Sequence, residues 1–157
     1  MMMIDSNMWI YYFDESLEEH KYVKEPMKEI IMREEGILAS TIVIQEVAHY
    51  LVRHESSDEF WEDMNYISRL RSLELLDFDY DMMQNALKLL SKYWKYGIGG
   101  RDAVLLATMV TKDVNKIMTH DGAFKNLRSK FDEIENFNVI DPIPKKNEPI
   151  NKAETRK

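Results

Sequence analysis

The stretch "MMMIDSNMWI", residues 1–10, sets an apolar run against a single acid and then resumes an apolar pattern that extends to Phe13. A run of four apolar residues is too short for a helix, so residues 1–4 read as a buried strand. "NMWIYYF" (7–13) reads as a short helix behind it. Asp5 therefore stands between a strand end and a helix start. The same order of strand, acid and helix returns further along the chain.

"HKYVKEPMKEIIMREE" (20–35) places Tyr22, Val23, Met27, Ile30 and Ile31 at helical spacing, with Pro26 as a kink or a start and Gly36 as a stop. "ILAS" (37–40) is a second predicted strand, and Ser40 is a candidate cap for a helix over 41–53. A helix over 57–70 leads to a third strand at "SLELLDF" (72–78). Asp79 caps a predicted helix over 80–96, which "GIGG" (97–100) breaks. A helix over 101–112, a strand at "KIMT" (116–119), a short helix over 122–127 and a strand at "FNVI" (137–140) complete the pattern. Strands separated by helices pair in parallel, because a tight turn cannot join parallel neighbours. The expectation is an α/β fold of three layers, with helices on both faces of a five-stranded parallel sheet. Ligands in such sheets bind beyond the carboxyl ends of the strands.

At 157 residues the chain suits one core. Residues 1–141 form the expected domain. Residues 142–157, "PIPKKNEPINKAETRK", hold three of the four prolines and few large apolar side chains, which predicts a flexible basic tail. The chain has no cysteine, which excludes a disulfide framework, a thiolate metal site and a cysteine nucleophile. A net charge of −7 argues against a broadly basic nucleic-acid surface. It leaves room for a nucleic-acid enzyme whose site charge is reversed by bound metal. No apolar run has spanning length and the N-terminus lacks a signal pattern, so the expected location is cytoplasmic, away from membrane.

Asp5 and Asp121 each follow a predicted strand, and Asp102 opens a predicted helix after the glycine-rich loop. Taken singly, each is explained as a helix cap. Glu46 is not, because it lies at the edge of the inward stripe defined by residues 43, 47, 50 and 51, where a carboxylate either reaches solvent or is aimed at something. Strand ends of a parallel sheet converge, so the four acids can share one crevice, where they would repel one another. A hard divalent cation relieves that repulsion, and oxygen ligands favour Mg2+ or Mn2+ over zinc. Ser6 and Asn7 beside Asp5, and Thr119 near Asp121, are candidates to orient the carboxylates, though each is also ordinary at an element end. His49 and His120 can approach the crevice, but packing or surface roles are the expectation for both, because no pair of histidines stands at ligand spacing with a matching third group. Arg101 either pairs with a nearby acid or faces solvent.

Together these residues resemble a known family. "IDSNMW", "ASTIVIQEVAHYL", "RDAVLLATMV" and "MTHDGAF" are similar, in order, to the motifs of PIN-domain proteins, and most like those of VapC-type toxin ribonucleases. The resemblance implies a sheet in the order 3-2-1-4-5, a Mg2+- or Mn2+-dependent endoribonuclease, a homodimer and a VapB-type antitoxin partner. It places Asp5, Glu46, Asp102 and Asp121 as catalytic and metal-binding acids. The implied reaction is hydrolysis of an RNA phosphodiester, with Glu46 either a ligand or the group that positions the attacking water. An RNA-processing PIN nuclease outside toxin–antitoxin pairs and a catalytically silent PIN-fold binding module are the alternatives. An aspartate-based phosphatase fits less well, because "DSN" supplies one acid where that class uses an Asp-x-Asp pair.

Overall fold

The computed structural model describes residues 1–145; most of the predicted tail, residues 146–157, lies outside the described residues. Five strands form one parallel sheet: β1 (Met2–Ile4), β2 (Ile37–Ser40), β3 (Leu73–Leu76), β4 (Lys116–Met118) and β5 (Asn138–Ile140), in the order β3-β2-β1-β4-β5. Met3 pairs with Leu38 on one side and with Ile117 on the other, which makes β1 the central strand. The chain reverses direction across the sheet at this strand, and a ligand crevice belongs beyond its carboxyl end. The three-layer arrangement and the strand order match the expectation.

Seven helices cover the sheet among the described residues: α1 (Ser6–Phe13), α2 (His20–Met32), α3 (Thr41–His54), α4 (Ser57–Ser68), α5 (Tyr80–Tyr93), α6 (Gly100–Lys112) and α7 (Gly122–Leu127). Their starts follow side-chain chemistry. Asp5, Ser40, Asp79 and Asp121 each accept a backbone N–H from the first turn of the helix they precede, and Ser56 with Glu59 closes a full capping box.

Of the two places open to Pro26, a start or a position within the helix, the structure shows the second, inside α2. Proline removes its own N–H and crowds the carbonyl one turn before it, and burial of Val23, Met27 and Ile30 holds the helix through that defect. Two element boundaries differ from the sequence reading. The helix predicted over 80–96 ends at Tyr93 and tightens into a 3-10 turn over Trp94–Tyr96, which Gly97 closes at φ 95°, a left-handed conformation suited to glycine. Asp102 is the second difference. Helix α6 begins at Gly100 with Gly99 as its cap, so Asp102 occupies the third helical position and does not open the helix.

Helix α6 is the most enclosed of the seven. Every residue from Asp102 to Met109 is buried, since α6 is packed against α5 and also against β2. The single polar side chain in its apolar run, Thr108, is satisfied by donating to the Val104 carbonyl at 2.8 Å. A helix apolar on all sides belongs in a protein interior. Arg101 and Asp102 stand where that interior helix emerges at the carboxyl end of the sheet.

Candidate active site

Asp5 is completely buried at the end of β1, and each of its oxygens is held by named donors. Oδ1 accepts from the Ser6 backbone N–H at 2.7 Å. Oδ2 accepts from the Thr119 hydroxyl at 2.6 Å and from Asn7 Nδ2 at 3.1 Å. Burial raises the pKa of Asp5 above the ordinary aspartate value, against the lowering effects of the Thr119 bond, the Arg101 charge and the Ser6 bond. Thr119 ties two strand ends together: its oxygen also accepts the Asp121 backbone N–H at 3.0 Å and faces Asn7 Nδ2 at 3.3 Å. Ser6, Asn7 and Thr119 thus form the scaffold of the first acid.

Asp121 caps α7 through Oδ1, which accepts the Ala123 N–H at 2.8 Å, and leaves Oδ2 facing the crevice. Asp102 reaches back along α6, where Oδ2 accepts the Gly99 N–H at 2.9 Å. This is the backward half of a capping box, and the forward half is absent because glycine has no side chain. Glu46 projects from α3 with about a third of its side chain exposed.

One guanidinium joins the last three acids. Arg101 Nη1 donates to Glu46 Oε1 at 3.2 Å, while Nη2 lies 3.2 Å from Asp102 Oδ1 and 3.5 Å from Asp121 Oδ2. Burial alone would lower the Arg101 pKa, but the fields of Asp5, Glu46 and Asp102 outweigh it and raise the value above its usual one. The sequence left Arg101 open between an acid and solvent; the structure pairs it with three acids at once. A position next to Asp102 in the first helical turn was the available signal, and the identity of the distant partners, 55 and 20 residues away, was not.

The four predicted acids therefore gather around one point, contributed by β1, α3, α6 and the start of α7. Their oxygens are hard donors of the kind Mg2+ and Mn2+ take. In the arrangement seen, no three His, Asp or Glu groups stand at metal-binding spacing among the described residues. The guanidinium lies between the carboxylates.

Two neighbouring features complete the site. An apolar groove of about 720 Å³ runs from the acids between α1, α3, α5 and α6; Glu46, His49 and Arg101 line it with Ile42, Leu87 and Leu90. His49 thus belongs to the groove wall. On the other side, Asp141 follows β5 as Asp5 follows β1, and it binds His120 Nδ1 at 3.0 Å and the Lys125 ammonium. His120 is therefore committed to Asp141. That a fifth acid follows the last strand was readable from the chain, although it was not among the predicted site residues.

The PIN domain family model matches residues 2–130, and the chain belongs to that family. Among solved structures, the chain is similar to the Mycobacterium tuberculosis toxin VapC20, described as cleaving the sarcin-ricin loop. The two share 16% identity over 85% of this chain and 98% of that one, with a TM-score of 0.67. FitAcB from Neisseria gonorrhoeae is 17% identical over 90% and 98% of the respective chains, with a TM-score of 0.65. VapBC2 from Rickettsia felis, bound to a promoter DNA fragment, is 16% identical over 89% and 97%, with a TM-score of 0.62. At this identity the likeness is one of fold. Comparison with curated protein sequences gives no significant match. Among the described residues no helix is long and apolar enough to cross a membrane.

Proposed function

We propose that this PIN domain is a Mg2+- or Mn2+-dependent endoribonuclease and the toxin of a toxin–antitoxin pair. The observation that carries this reading is the gathering of Asp5, Glu46, Asp102 and Asp121 from four separate elements at the carboxyl end of one sheet. Capping accounts for one oxygen each of Asp5, Asp102 and Asp121, but it does not account for the buried second oxygen of Asp5 or for Glu46. PIN domains are generally nucleases, and the structures described above support the toxin assignment.

Asp5, Asp102 and Asp121 would hold the ion, with Glu46 a further ligand or the group that aligns the attacking water. A bound divalent ion would supply acidity to water and stabilise charge on the phosphate. The chain's own residues prepare for this. Ser6, Asn7 and Thr119 fix both oxygens of Asp5, so its carboxylate cannot rotate away. Glu46, partly exposed at the groove mouth, has room to accept a proton from water on the substrate side. The apolar groove suits an antitoxin segment, since nucleic acid would need basic walls and its walls are mostly apolar.

A second reading is a silent PIN-fold binding module, and Arg101 favours it by pairing with three of the acids and occupying the space between them. Cleavage of single-stranded RNA separates the two. The nuclease reading expects cleavage with Mn2+, none with chelator, and at least a hundredfold loss on Asp5→Asn, roughly the effect of losing a metal-site group. Absence of cleavage under every metal condition supports the silent module, and cleavage that survives chelator and Asp5→Asn contradicts a metal nuclease at these acids.

A further inference from the structure

The guanidinium of Arg101 lies within hydrogen-bonding reach of Glu46, Asp102 and Asp121, and it is one of the charges that act on Asp5. A divalent ion held by the same oxygens would sit about 2.0–2.2 Å from each. The guanidinium nitrogens stand 3.2–3.5 Å from them, so an ion and this side chain cannot share the space.

Arg101 also has somewhere to go. It lines the 720 Å³ groove that opens beside the acids, and about a third of its side chain is already exposed. Its backbone is fixed one residue before Asp102 in the first turn of a buried helix, so only the side chain needs to move. Arginine keeps its charge at any pH the protein meets, which makes it a permanent counter-ion to the acids in the absence of metal.

We propose that Arg101 is an exchangeable counter-ion: it bridges Glu46, Asp102 and Asp121 beside Asp5 without metal, and a divalent ion binds by displacing it into the groove. Metal affinity is then set by a competitor built into the chain. The metal-free protein keeps its acids assembled because the guanidinium offsets their repulsion, at the expense of weaker ion binding.

This inference rests on the metal-nuclease reading, and calorimetric titration with Mn2+ alone tests the two separately. Arg101→Gln removes the charge and keeps a hydrogen-bonding group. The expected result is Mn2+ binding about tenfold tighter than in the wild type, in the usual range for coupling between two competing ligands. Arg101→Lys, which retains the charge, is expected to bind close to the wild type. In chelator, Arg101→Gln is expected to melt at a lower temperature than the wild type and to gain more from Mn2+. If the wild type binds Mn2+ in an Asp5-dependent way and Arg101→Gln binds it equally or more weakly, the exchange is wrong while the nuclease reading stands. If neither protein binds Mn2+, both fall. A check that needs no variant is the guanidinium 15N spectrum of the wild type, in which one ion-paired arginine should shift on Mg2+ saturation. An unchanged spectrum with Mg2+ bound would overturn the proposal.

Discussion

At the scale of single residues, the site is organised by which carboxylates are held and by what. Asp5 is buried, so its folded pKa lies above the unfolded value. Folding therefore favours the protonated form: the stabilisation is present below the unfolded pKa and is lost as pH rises through the folded one. In chelator, the melting temperature of the wild type should fall as pH rises from 4 to 8, and Asp5→Asn should flatten that fall and melt higher at pH 8. Scanning calorimetry across that range checks it; an unchanged slope would remove Asp5 as the cause. Thr119 supports both Asp5 and Asp121 from zero exposure. Thr119→Val keeps the shape, leaves Asp5 Oδ2 short of a donor and should cost about 1–3 kcal/mol in denaturant unfolding. Much of this was legible in the sequence, because an acid after an apolar run is visible without coordinates. Arg101 was not, since its partners lie in other elements and only the closed sheet brings them within reach.

Among elements, the starts of α1, α3, α5 and α7 were readable because each cap is a side chain next to the turn it serves. The start of α6 was misread for a physical reason: its cap is a glycine, and the acid that serves it lies inside the helix and reaches backward. Another feature that local pattern hides is the contact between α3 and α4. Glu55, which ends α3, meets Asp63 of α4, and Glu55 Oε2 is buried with no donor among the described residues. Burial, followed by the Asp63 contact and charge, pushes the Glu55 pKa up to about 7. The sign is again that of a raised carboxyl: the stabilisation is full below about 4.5 and is lost as pH rises through about 7. Glu55→Gln should hold the α3–α4 contact at pH 8 and reduce the dependence of stability on pH between 5 and 8. Thermal melts of both proteins at those two pH values measure the difference, and parallel curves would exclude this pair.

For the whole molecule, the order of apolar runs and helical patterns was enough to assign the layers and the parallel sheet. The strand order itself came from the resemblance to PIN domains, because strand adjacency depends on crossovers that local pattern does not encode. The groove also required the assembled fold, since its walls come from α1, α3, α5 and α6 and their packing leaves the space between them. The sheet explains why acids distant in sequence meet, and the groove explains how a charged side chain can leave them. A divalent ion held by Asp5, Asp102 and Asp121, with Glu46 as a further ligand or beside its water, is the central claim, and a crystal of the wild type grown with Mn2+ tests it most directly by anomalous scattering. The account predicts one anomalous peak about 2.0–2.2 Å from carboxylate oxygens of these acids, with the Arg101 guanidinium turned into the groove. Saturating Mn2+ with no peak there, and Arg101 still bridging Glu46, Asp102 and Asp121, would contradict it.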